Sequence, residues 1–111
     1  MVNKRKLILP DNPKVKDRLK RKIKEYYQRM KRLKSESSFT NPEMVYTTLT
    51  GYKALIAQRL TLCGEVDTEA LSRELREEYG FVNYEDFNNA IGVIEDYCKT
   101  GGQNCCQGTG F

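Results

Sequence analysis

A chain of 111 residues, 31% of them charged and with a mean hydropathy of −0.68, suits one small domain. It excludes a helical membrane span, because no apolar run approaches the ~18 residues that a span needs. The net charge of +4 conceals two unlike halves: residues 1–34 hold fourteen Lys and Arg against three acids (+11), and residues 35–111 hold five against twelve (−7).

Residues 1–11 read as a basic arm. Its apolar run, Leu7-Ile8-Leu9, is shorter than the roughly 7–15 residues of a secretory signal core. The basic stretch is also poor in serine before Ser35, unlike an organelle-targeting peptide, so the cytoplasm is the expected compartment. Asn12-Pro13 then opens a helix, with Asn suited to the N-cap and Pro to the first helical position, whose missing N–H has no intrahelical partner. Val15, Leu19, Ile23, Tyr26, Met30 and Leu33 follow at steps of three and four, a stripe roughly 80° wide. So narrow a stripe resembles a coiled-coil seam more than a core-facing side.

After a polar break at Ser35–Ser38, Asn41-Pro42 repeats the opening signal and Gly64 closes a second helix. Its broad apolar face, from Met44 and Val45 through Tyr52, Ile56 and Leu60 to Leu62 and Cys63, marks the expected centre of the core. Asp67 caps a third helix that ends at Gly80, and Asn83 caps a fourth that ends near Gly101. In both, the residue before the cap can staple onto the first turn, Val66 to Leu71 and Val82 to Phe87. No segment alternates with period two, so strands are not expected.

The expected fold is therefore all-α: a small bundle of about four helices, with a long basic N-terminal helix and a flexible Gly- and Cys-containing tail at 101–111. A single helical domain spans 12–100, with the basic helix at 12–35 and core helices at 41–63, 67–79 and 83–99. The first helix is expected to pack along the other three or project from them, and residues 36–111 to fold without it.

The first helix is poorly arranged if stability is its only purpose. Lys14 and Lys16 stand at the positive end of the helix dipole. Like charges recur four apart at Lys14/Arg18, Lys16/Lys20, Arg18/Lys22 and Lys20/Lys24, each pair costing about 0.2–0.5 kcal/mol. An anionic ligand would relieve that load. The leading expectation is a nucleic-acid contact through Lys14, Arg18, Lys20, Arg21, Lys24, Lys31 and Arg32, with Tyr27 stacking on a base. An acidic protein docked on the helix, or self-association through the seam into a homo-oligomer, is the alternative. A third reading has the acidic half of the molecule neutralise this helix.

The last two helices invite a helix-turn-helix reading. It is rejected because Glu85, Asp86, Glu95 and Asp96 on the fourth helix, and Glu69, Glu74, Glu77 and Glu78 on the third, would meet an anionic groove. Arg59 falls on the apolar side of the second helix and must either extend its head into water or pair with Glu74 or Glu78. The four cysteines lack zinc-ligand spacing: Cys63 and Cys98 read as core residues, and Cys105-Cys106 as incidentally exposed thiols. With no histidine, no Gly-rich phosphate loop after a strand and no nucleophile beside a base, neither an enzyme nor a bound cofactor or metal is expected.

Overall fold

The structure is a computed structural model that describes residues 5–36 and 42–100. It is a compact, mostly helical bundle. Four helices, α1 (Pro13–Glu36), α2 (Leu49–Cys63), α3 (Thr68–Tyr79) and α4 (Tyr84–Thr100), are joined by a 3₁₀ segment, Pro42–Thr47, before α2. The expected tail at 101–111, with Cys105 and Cys106, lies outside the described residues.

The helix boundaries follow from their caps. Asn12 Oδ1 accepts from the Lys14 N–H at 2.9 Å, and Asp67 Oδ1 accepts from the N–H groups of Glu69 and Ala70. Asn83 Oδ1 does the same for Asp86. Gly64 and Gly80 close α2 and α3 in the left-handed region, at φ of 81° and 85°, and each donates its N–H to a carbonyl of the last turn.

Where one helix is expected over 41–63, the chain breaks at Thr48. The hydroxyls of Thr47 and Thr48 donate back to the carbonyls of Met44 and Val45, and Thr48, in an extended conformation, caps α2 by accepting from the Gly51 N–H. The corner requires glycine. A β-carbon on Gly51 would stand 2.3 Å from the Val45 carbonyl oxygen and 2.6 Å from the Tyr46 Cα.

The expectation of no strands is corrected. Lys6–Ile8 (β1) and Glu65–Asp67 (β2) form a two-stranded antiparallel ladder in which Leu7 opposes Val66, both buried. Leu9 donates to the Gly64 carbonyl and Thr68 to that of Arg5, while the fully buried Thr68 hydroxyl also accepts from the Arg5 N–H at 2.8 Å. Three residues are too few to show a period, and the pairing joins positions about sixty residues apart. The part of the basic arm from Arg5 onward is thus a strap across the connection between α2 and α3.

The core sits around α2, with α1 and α4 laid against it. Tyr52, Ala54, Ile56, Ala57 and Leu60 are fully buried, so α2 is enclosed on more than one side. Tyr52 meets Phe87 of α4 edge to face, ring centres 5.3 Å apart, and its hydroxyl accepts from the Asn83 N–H. Two residues assigned to this core lie outside it: Leu62 is 73% exposed and Cys63 is exposed. The turn carrying them leads out of the bundle to Gly64.

Helix α1 does not project. Val15, Leu19, Tyr26 and Met30 are buried, and Ile23 and Leu33 pack against the same cluster. The narrow stripe is a core face whose width is set by neighbours on two sides. Each such side chain contributes about 1.5–3 kcal/mol on burial, so removing α1 would expose much of the core that residues 36–111 are expected to keep on their own.

Candidate functional site

Burial of its stripe fixes the rotation of α1, and with it which cations face outward. Lys14, Lys20, Arg21, Lys24, Lys31 and Arg32 are all exposed, as is Lys16. Among the described residues the one ion pair made by a cation of α1 is Lys22 with Glu25 of the same helix, at 3.6 Å. No acid of the acidic half pairs with this helix among those residues. Its join to the rest of the molecule is mainly the buried stripe, with Tyr27 and Gln58 adding a hydrogen bond to α2.

The acidic half does neutralise the strap. Arg5 pairs with Glu95 of α4, and Lys6 with Glu65 across the ladder at 3.2 Å. Ion pairs with the acidic half thus fall on the strap and, among the described residues, not on α1, where the third reading expects them.

Arg18 differs from the other expected cations. It is half-buried, its guanidinium carbon 5.9 Å from the centre of the Tyr97 ring of α4, and Lys22 Nζ stands 5.8 Å from the same centre. Arg18, Arg21, Lys22, Glu25 and Tyr97 line a surface notch of about 270 Å³ between α1 and α4. The sequence does not single out Lys22 or Tyr97. Lys22 borders the stripe and reads as part of its edge, and Tyr97 belongs to a helix far along the chain. Behind the notch, burial and then a hydrogen bond with Tyr97 push the Tyr26 hydroxyl well above the ordinary tyrosine value.

Tyr27 is a correction. Expected to stand free for base stacking, it is half-buried, and its hydroxyl donates to Gln58 Oε1 of α2. Burial, then the neighbouring Tyr46, raises its pKa. The ring belongs to the wall of a separate cavity of about 310 Å³ with Tyr46, Tyr79 and Leu75. Tyr46 and Tyr79 stack there at 6.4 Å. At its rim Arg59 binds Glu74 at 3.0 Å, with both side chains about half exposed. Arg59 thus keeps its head in water and holds one of its two expected partners; that hydrogen bond is the main cause of its raised pKa.

Cys98 is half-buried, and burial followed by the nearby Glu95 pushes its thiol up, away from reactivity. Among the described residues no three His, Cys, Asp or Glu gather to hold a metal ion. No helix among them is long and apolar enough to cross a membrane. The chain matches no protein-family model, no curated protein and no solved structure.

Proposed function

We propose that this protein is a small non-enzymatic nucleic-acid-binding accessory or regulatory protein that meets phosphates with the outward face of α1. One observation carries the reading: seven cations of that face are exposed and form no ion pair among the described residues, while acids of the same chain pair with Lys6 of β1 and with Arg5 before it. Cations on a helix whose apolar side is fixed in a core can meet a polyanion without any reordering of the backbone, and they release its counterions.

The same geometry refines the mode of contact. Tyr27 is engaged by α2, and α1 carries no exposed large apolar side chain; those among the described residues are Ile8, Leu62 and Phe81, all on other elements. With Tyr27 held by α2 and no exposed large apolar side chain on α1, the contact runs along the phosphate backbone and tolerates many sequences. Lys14 to Arg32 covers ~27 Å of helix, the length of about eight base pairs at ~3.4 Å each. The lack of an apolar anchor on this face also counts against an acidic protein as the partner, because protein interfaces concentrate their energy in such anchors.

Changing Arg21, Lys24, Lys31 and Arg32 together to Gln tests this. These four are not part of the stripe, so the melting temperature should hold or rise slightly as like-charge repulsion falls. Affinity for a short duplex should drop. The slope of log K against log salt should become shallower by ~0.9 for each phosphate no longer neutralised, or by ~0.7 on a single strand. An unchanged affinity and slope in a folded variant would refute the assignment.

A further inference from the structure

The notch between α1 and α4 has a chemistry that the rest of the cationic face lacks. Elsewhere on α1 the charges are spread along the axis, one for each diester that passes. At the notch three cations, Arg18, Arg21 and Lys22, border one depression floored by Tyr97, and a single acid, Glu25, opposes them. Two of the three heads lie within 6 Å of the centre of the Tyr97 ring, which holds them at the depression instead of letting them range through solvent. At about 270 Å³ the space falls below the ~300–1,000 Å³ of pockets for drug-sized ligands, which suits a compact head group.

A net charge of about two, gathered on one point, matches a dianion better than a monoanion. Each diester inside a strand carries one negative charge. A phosphate monoester carries about −1.5 to −2 at pH 7, with a second pKa near 6, and offers three acceptor oxygens. Two guanidinium groups and an ammonium are the donors that such a group takes.

We infer that the Arg18–Arg21–Lys22–Tyr97 notch binds a terminal phosphate monoester, so that the protein prefers nucleic-acid ends that carry a phosphate. This rests on the polyanion reading above and adds to it a second, local site. Lys24, Lys31 and Arg32 then hold the adjoining diesters along the same helix.

The test compares one short duplex with and without a 5′-phosphate, bound by the full-length protein at fixed ionic strength. The phosphorylated form should bind about tenfold more tightly, the scale of a partly exposed charge-assisted contact. Inorganic phosphate at matched ionic strength should erase most of the difference, and R18Q/R21Q/K22Q should abolish it. K24Q/K31Q/R32Q should weaken both duplexes alike and keep the ratio. The ratio should also grow between pH 5 and pH 7.5. The groups facing the notch are Arg18, Arg21, Lys22, Glu25 and Tyr97, and the chain has no histidine, so the ligand's second ionisation is what changes there. Equal binding of the two duplexes by the wild-type protein, which needs no variant to fold, overturns the notch and leaves the diester face standing. Binding of neither duplex overturns both.

Discussion

Two basic regions lie side by side in this chain and have opposite fates. In β1 and the residue before it, Lys6 and Arg5 are matched by Glu65 and Glu95, and the strand's inward residue, Leu7, is buried against the ladder. In α1, the charges of the outward side stay in solvent, and among the described residues only Lys22 finds an acid, on its own helix. Both regions contribute to the same lopsided charge count. Charge density therefore does not say which cations are available to a ligand; the rotation of the element carrying them does. β1 lies between acids of two neighbouring elements. α1 turns its apolar stripe toward the bundle and so turns its cations away.

Removing the element whose burial sets the rotation should have the largest effect. Deleting residues 1–36 takes Val15, Leu19, Tyr26 and Met30 out of the core, along with Leu7. Four or five large side chains at about 1.5–3 kcal/mol each approach or exceed the ~5–15 kcal/mol by which a domain is stable. The fragment should show no cooperative thermal transition by circular dichroism. A sharp two-state melt would mean that α1 is an appendage, and that its outward face is not fixed by the fold.

A smaller effect should come from alkali. Tyr26 and Tyr27 of α1, with Tyr52 and Tyr79, have hydroxyl pKa values raised chiefly by burial. The unfolded chain loses these protons first, near the ordinary tyrosine value of about 10. The stability they contribute is full below that pH and is lost as pH rises toward the folded values. Melting temperature should fall progressively above about pH 10, with tyrosinate absorbance rising in step with unfolding. Ionisation of these tyrosines at the ordinary value in the fully folded protein would show that the joint between α1 and the bundle is looser than the geometry has it.

The smallest effect sharpens the contrast directly. Replacing Arg5 and Lys6 with Gln removes one exposed ion pair, Lys6–Glu65, and one partly buried pair, Arg5–Glu95, whose acid keeps Lys99 as a partner; exposed pairs contribute about 0–1 kcal/mol each. Melting temperature should drop by a few degrees at most. Duplex affinity and its salt slope should stay at wild-type values, because these cations are already matched. A loss of affinity like that expected of the α1 variant would end the distinction between the two regions.

Much of the molecule is legible from local chemistry. Asn12, Asp67 and Asn83 are readable as caps, and Gly64 and Gly80 as stops, because a short polar side chain before a periodic run and a glycine after it satisfy helix ends within a few residues. The stripe from Val15 to Leu33 is readable for the same reason: the helical period is written into consecutive turns. The charge division needs only counting.

Local sequence chemistry therefore specifies the set of helices and the basic character of the first. Tertiary structure decided what long-range contact alone can supply. It paired Lys6–Ile8 with Glu65–Asp67, broke the second helix at Thr48 where Gly51 must pass the Val45 carbonyl, and drew Tyr27 to Gln58. It also set Tyr97 beside Arg18 and Lys22, forming the notch from two helices far apart in the chain. The physical reason is the range of each interaction. Caps and periodicity act within one or two turns, whereas burial, strand pairing and the meeting of side chains from distant helices exist only once the core has closed.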